Sequence, residues 1–349
     1  MRVLFLVWSS YPSDRIYADP SVFYRCFHPA EALRRRGMHT SVMHFSTVDP
    51  EELSDYDRII FFRPQFSDKF LELHSTARQL GLPCVASYDD LFFDIEMLRQ
   101  SNFRGLAVNQ HKILASRPYN YAQAMYFFDR FISSTDPLAD RIRAALGAAE
   151  VHVQYNAVSD EMLYLARMCT ETIDREPLRL GYFAGGASHA PDLMAIAPYI
   201  APALAEAGAE FFCVETVEVP DVIAKACKVT TTRRMSYAEM IRAYATCCVT
   251  IAPLHMNPFT ISKSGIKYLE ASLVGAATVA TPIPDIMRIA DDRLIPVETE
   301  EGWYDGVRQA LAMPHGEAIT RHQQERIRER FSTSVEAERL VKFLETVGS

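Results

Sequence analysis

Apolar residues in this chain follow two rhythms. Short continuous runs at 3–8, 41–45, 58–62, 83–87, 130–133 and 151–154 read as buried strands, while 22–36, 68–80 and 137–146 repeat apolar positions at helical spacing. Continuous rather than alternating hydrophobicity is what a parallel sheet covered on both faces requires. Gly37 and Gly81 follow helical runs, where a glycine stops a helix. The pattern predicts a doubly wound α/β unit. It breaks at 168–178, a polar segment with Thr170, Glu171, Thr172, Asp174, Arg175, Glu176 and Pro177. It then restarts with strands at 180–183, 210–214, 248–252 and 277–280 and helices at 190–207, 221–227, 237–245 and 266–273. A second α/β unit is therefore predicted from residue 178, with a last helix at 336–347 and no strand after it. Two such units make a cleft, and open α/β sheets bind ligands at the carboxyl ends of their strands.

The length of 349 residues suits two domains of ordinary size, and 49% hydrophobic with 23% charged residues is the profile of a soluble globular protein. The formal charge of −8 comes with no basic run longer than Arg34-Arg35-Arg36. That argues against a nucleic-acid partner, whose phosphates need a clustered positive face, yet leaves room for a small anionic ligand. Seven cysteines without a Cys-x-x-Cys pair predict reduced thiols in a cytoplasmic protein. The apolar run at 3–8 is too short for a signal peptide, and no stretch approaches the ~18 apolar residues of a membrane span.

The candidate chemistry concentrates between Pro258 and Ala280. Ser262 or Ser264 suits the cap of a helix whose core positions are Ile266, Leu269 and Leu273. Glu270 falls inside that helix, beside the apolar face, where a carboxylate needs hydrogen-bond donors. The two hydroxyls of a nucleotide ribose would supply them. The backbone amides of Lys263, Ser264, Gly265 and Ile266, with Lys263 or Lys267 nearby, would suit a diphosphate at the positive end of the helix. An ordinary amphipathic helix with an exposed Glu270 paired to Lys267 or Lys263 fits the residues equally well. Elsewhere, Asp89 and Asp90 end a strand of the first unit, where carboxylates bind a metal, act as a base or hold hydroxyls. With no third ligand nearby in sequence, metal is the weakest of these. A helix cap would account for Asp90, so Asp89 is expected to matter more.

The segment from Pro258 to Ala280 resembles the carboxyl-terminal signature of the glycosyl transferases group 1 family, mostly retaining GT-B enzymes. Lys263-Ser264-Gly265 stands in the signature's turn, Glu270 matches its second glutamate, and Gly275 to Ala280 matches its closing strand. The first acid of the signature is replaced by Ser262. Leu180 to Leu193 resembles the strand and loop that open the family's second domain, with Gly185 and Gly186 allowing close approach of a donor. There His189 would either bond a phosphate or sugar hydroxyl or cap the helix. The segment from Tyr24 to Leu33 resembles the family's first helix, which would bring Arg25 to the donor diphosphate. The family's Arg and Lys pair is not evident, and Arg233, Arg234 or Lys263 would replace it.

The resemblance implies a GT-B fold, with two Rossmann-like doubly wound parallel-sheet domains facing across a cleft. It places an acceptor domain at 1–167, a nucleotide-sugar domain at 178–330 and a terminal helix at 331–349 crossing back to the first. It implies a glycosyltransferase moving a sugar from a nucleotide-diphosphate-sugar to an acceptor hydroxyl, with retention, no metal and no cofactor beyond that substrate. The acceptor (glycan, lipid-linked glycan, protein or small molecule) stays open. Asp89, Asp90 and His189 become the catalytic candidates, and the donor falls to Glu270, Lys263, Ser264, Gly265, Ile266, Gly185, Gly186, Arg25 and Arg233. An inactive GT-B subunit serving a partner enzyme, or a nucleotide-sugar epimerase, are the rival expectations.

Overall fold

A computed structural model describes residues 1–96, 108–147, 149–170, 175, 177–186 and 189–347. Their contacts divide the chain into two compact units. One comprises Met1–Asn156, Ser262–Ser264 and Thr333–Ser349, the other Ala157–Ile261 and Gly265–Ser332. The polar segment expected to separate domains lies outside the described residues at 171–174 and 176. The units divide instead between Asn156 and Ala157. The helix Asp160–Thr170 buries Met162, Leu163 and Ala166 and packs on three helices of the second unit, Tyr237–Ala245, Ile266–Leu273 and Glu317–Arg330. A polar run reports exposure, and it does not say with which unit a neighbouring helix packs.

In the first unit, β1 (Arg2–Val7), β2 (His39–His44), β3 (Arg58–Phe62), β4 (Cys84–Tyr88), β5 (Arg130–Ser133) and β6 (Glu150–Val153) form a parallel sheet in the order β2-β1-β3-β4-β5-β6. β1 is buried at every position after Arg2, which explains its unbroken apolar run. The helix Asp68–Gln79 starts on Ser67, whose Oγ accepts the Phe70 amide, and is followed by Gly81 at φ +68°. The helix predicted at 22–36 is three pieces, an α turn at Pro20–Val22, a π turn at Phe23–Phe27 and an α-helix at His28–Arg34. Pro29 stands two residues past the end of the π turn, in a helical run that continues without a break from 20 to 34. The terminal helix Thr333–Thr346 sets Ala337, Leu340, Phe343 and Leu344 into one core with Val3, Phe5, Ile60 and Val85.

In the second unit, β7 (Arg179–Tyr182), β8 (Glu210–Val214), β9 (Val229–Thr232), β10 (Val249–Ala252), β11 (Ala277–Ala280) and β12 (Leu294–Pro296) form a parallel sheet in the order β12-β11-β10-β7-β8-β9. This is the Rossmann order, and it reverses between β7 and β10. The helix Ala190–Ala207 buries Leu193, Ile196, Ile200 and Leu204 on one side and ends on Gly208 in the left-handed region. The two doubly wound sheets agree with the pattern read from the sequence. The strands β9 and β12 were not predicted, since β9 is a partly exposed threonine-rich edge and β12 has three residues. No helix among the described residues is long and apolar enough to cross a membrane.

Gly275 sets the turn between the helix Ile266–Leu273 and β11. Its φ is +74°, and a Cβ there would stand 2.4 Å from Thr320 Oγ1 and 3.0 Å from Thr320 Cα. Left-handed strain of about 1–2 kcal/mol adds to an overpacking cost of about 1–3 kcal/mol. Gly275→Ala is therefore expected to lower the stability of the second unit by about 3 kcal/mol, read as a lower urea midpoint. An unchanged midpoint would mean that Thr320 moves aside freely and that the turn is not strained.

Candidate functional site

β3 and β4 are neighbours, and their carboxyl ends deliver Arg63 and the pair Asp89-Asp90 to one edge of the first sheet. Arg63 precedes Pro64, which disfavours the right-handed helical region for it. It sits at φ +53°, the one non-glycine at positive φ among the described residues. Nε donates to Asp89 Oδ1 at 2.5 Å and Nη2 to Asp89 Oδ2 at 2.7 Å, a fork on one carboxylate. Nη2 also donates to Ser21 Oγ at 2.7 Å, and the guanidinium lies 4.8 Å from the ring centre of Phe92. Burial alone would raise the Asp89 carboxyl, but Arg63 outweighs it and holds the group below the usual carboxylate range.

Asp90 is placed differently. Its side chain keeps 20% exposure, with Lys263 Nζ at 3.4 Å and Arg63 Nη2 at 3.8 Å. Burial pushes its carboxyl above the usual range; Lys263 opposes the rise, and the negative charge of Asp89 adds to it. Adjacent carboxylates driven apart in this way take different roles, one a fixed anion and the other a group able to exchange protons or bind hydroxyls. Asp89 is committed to Arg63, and Asp90 is the more accessible of the two. Lys263, like Ser262 and Ser264, groups with the first unit. Thr135 caps the helix Asp136–Leu146 and donates from Oγ1 to the Ser262 carbonyl at 2.8 Å.

Arg25 lies at the same carboxyl edge, under β5 and β6, and its charge also helps to hold the Asp89 carboxyl down. It is 3% exposed, and its guanidinium donates to the Gln154 and Ser133 carbonyls and to Asn156 Oδ1, tying the ends of β5 and β6 together. These bonds give its guanidinium a structural role at the ends of the two strands. The same bond gives Asn156 its structural place in the turn after β6.

In the second unit β7 runs into Gly185 and Gly186, where no described residue stands within 4 Å of a Cβ at either position. His189 follows, at the start of the helix Ala190–Ala207, and makes no side-chain cap. Its Nδ1 meets Asp192 Oδ2 at 3.0 Å, and its carbonyl accepts the Tyr182 hydroxyl at 3.1 Å. Arg233 is exposed beyond β9, two strands from β7, or about 10 Å at ordinary strand spacing. It does not join the glycines and His189.

The helix Ile266–Leu273 begins at Gly265 with no side-chain cap, so neither Ser262 nor Ser264 takes the expected capping role. The Gly265 amide donates to Asp285 Oδ2 at 2.7 Å, and Asp285 is itself paired with Arg288 at 2.8 Å. Of the four amides expected to meet a diphosphate, the Gly265 amide is thus taken by a carboxylate. A Cβ on Gly265 would lie 2.8 Å from Ile286 Cα and 2.9 Å from its nitrogen. The glycine is required by close packing of that turn. Glu270 is 5% exposed and accepts the Tyr244 hydroxyl at 3.0 Å. The Tyr244 ring stacks on Phe183, the residue after β7, at 3.7 Å between centres. Burial and the charge of Glu270 push the Tyr244 phenol well above its usual range, so it stays a donor. Glu270 is thus buried near the apolar face and not exposed.

Arg63, Asp192, Tyr244 and Asp285 were not picked out from the sequence. Arg63 had a signal, an arginine between an apolar strand and a proline, and His189 with Asp192 had the three-residue spacing of a helical pair.

No protein-family model matches this chain, and no curated protein does. Solved structures match it over nearly its whole length. HepE from Anabaena, in complex with UDP, is 13% identical over 99% of this chain and 100% of that one, with a TM-score of 0.62. WaaG, a glycosyltransferase involved in lipopolysaccharide biosynthesis, is 14% identical over 99% and 100%, with a TM-score of 0.60. A UDP-forming trehalose-phosphate synthase from Burkholderia xenovorans is 13% identical over 98% and 81%, with a TM-score of 0.56. Such identities speak to architecture, and by its architecture of two Rossmann-like parallel sheets this chain has the GT-B fold.

Proposed function

We propose that the protein is a glycosyltransferase that moves a sugar from a nucleotide-diphosphate-sugar to an acceptor hydroxyl. The observation that carries this reading is the place of Gly185, Gly186 and His189, at the carboxyl end of β7 where the order of the second sheet reverses. Doubly wound sheets take their ligands at such a point. The open space over the two glycines suits a diphosphate, and the cradle belongs there and not at Gly265, whose amide serves Asp285. Glu270 takes the ribose hydroxyls, adding them to the bond from Tyr244. The first unit holds the acceptor, with Asp90 on its hydroxyl and Asp89 fixed by Arg63. Transfer proceeds with retention and without metal, the leaving diphosphate helping to accept the acceptor's proton. HepE is described with UDP and with UDP-glucose, so uridine nucleotides are the first donors to try.

The test is calorimetry of the purified chain with UDP-glucose and with guanosine and adenosine counterparts. Binding of none of them would overturn the reading. Retention is read from the anomeric proton of the product, and metal independence from activity in excess chelator. Glu270→Gln keeps the side-chain shape and removes the charge. Because charged hydrogen bonds are worth about 1.5–3 kcal/mol each, this variant is expected to bind UDP at least about tenfold more weakly. Unchanged affinity would remove Glu270 from the donor site.

A second reading, an inactive donor-binding subunit, is favoured by one position. Ser262 stands where the resemblance has its first acid, is 1% exposed, and offers no carboxylate to a sugar. Donor binding without hydrolysis or transfer to any acceptor would favour it.

A further inference from the structure

Asp192 lies in the first turn of the helix Ala190–Ala207, and its two oxygens meet groups from separate parts of the chain. Oδ2 meets His189 Nδ1 at 3.0 Å, while Oδ1 accepts the backbone amide of His255 at 3.0 Å. His189 closes the loop after β7, and His255 lies in the loop after β10. β7 and β10 are the neighbours between which the strand order reverses. One carboxylate therefore ties together the two loops that border the crevice where such sheets bind ligands. The His189 backbone is held as well, since its carbonyl accepts the Tyr182 hydroxyl. Its side chain keeps 18% exposure, and with Nδ1 on Asp192 the nitrogen left to meet a ligand is Nε2. A carboxylate behind an imidazole sets both the orientation of the ring and which nitrogen faces outward.

We propose that Asp192 is a positioning residue that aims His189 Nε2 at the terminal phosphoryl group of a nucleoside diphosphate. The inference rests on the reading of the second unit as a donor site. Asp192 acts through His189 and not on the ligand, because a carboxylate beside a phosphate repels it. In the complex the ring meets a phosphoryl oxygen through Nε2 while Nδ1 stays on Asp192, and the bond from His255 keeps the two loops in register. A purely structural Asp192 would weaken binding of every ligand alike, and it would do so with or without His189.

The experiment is a double-mutant cycle of Asp192→Asn and His189→Gln, using calorimetry with UDP and with uridine as probes. Each single variant is expected to weaken UDP binding about tenfold, the loss of one charge-assisted bond. The double variant is expected to lose no more than either alone, since both remove the same contact. Uridine, which lacks phosphate, should bind all four proteins equally. In the parent, nitrogen-15 spectra of the His189 ring should show Nδ1 carrying a hydrogen bonded to a carboxylate, and Asp192→Asn should lose that signature. Multiplicative losses in the double variant, an equal loss for uridine, or an unchanged His189 spectrum would each overturn the proposal. A parent that binds no nucleoside diphosphate would sink the donor reading instead. The ring spectrum would still decide whether Asp192 fixes His189.

Discussion

Arg63→Ala is expected to lower the stability of the first unit by about 3–5 kcal/mol at neutral pH, the range for removing one partner of a buried ion pair. The side chains are 13% and 8% exposed, and the fork leaves Asp89 no comparable partner once the guanidinium is gone. The chain has two tryptophans, Trp8 in the first unit and Trp303 in the second. With Trp303 replaced by phenylalanine, Trp8 fluorescence in urea reports the first unit alone. The pH dependence has a definite sign. The folded Asp89 sits below its ordinary value, so the pair's contribution is present above the carboxylate range and is lost as pH falls through the depressed value. The gap between parent and variant should therefore hold down to about pH 4 and narrow as pH drops below it. Arg63→Gly should lose about 1 kcal/mol less than Arg63→Ala, because glycine is at ease at φ +53° and alanine is not. A gap that is small and constant with pH would mean that the ion pair adds nothing.

Asp90→Asn should slow sugar transfer by about a hundredfold, the usual result of misplacing a reacting group by about 1 Å. Donor affinity should stay within about twofold of the parent, because an acceptor-holding carboxylate acts on the bound complex and not on donor capture. Burial raises the Asp90 carboxyl, so parent activity should decline on the acid side at a pH above the ordinary carboxylate range. The variant, with nothing to protonate, should lose that limb of the profile. Normal turnover, or a large loss of UDP affinity, would overturn the division between acceptor and donor sides.

The sheets were legible in the sequence because their inner strands, such as β1, β3, β4 and β8, are buried and so nearly continuously apolar. The helices Ala190–Ala207, Tyr237–Ala245 and Ile266–Leu273 were read with their observed bounds. Helix Glu317–Arg330 was not, since it is mostly charged and buries only Thr320, Gln323, Gln324 and Ile327. In the candidate site, Asp89 and Asp90 were visible as acids at a strand end, but which of them is held in an ion pair was not. It depends on Arg63, 26 positions away in sequence, and on a left-handed backbone that no composition reveals. Gly265 shows the same gap from the other side. A glycine before a helix looks identical whether it makes room for a phosphate or for the backbone of Ile286.

The return of Thr333–Thr346 to the first core has a consequence for the order in which a ribosome can complete this molecule. Apart from Ser262–Ser264, the second unit is one uninterrupted stretch, Ala157–Ser332, and all of it is synthesised before the last helix exists. The later half of the chain can thus close while the earlier half still waits for Leu340, Phe343 and Leu344 to cover Val3 and Ile60. This inverts the usual amino-terminal-first sequence of domain folding. Until the helix Thr333–Thr346 is available, the nascent first unit presents bare apolar surface of the sort that holdase chaperones bind. A premature stop just ahead of Thr333 would therefore harm the half of the protein made first, and spare the half made last.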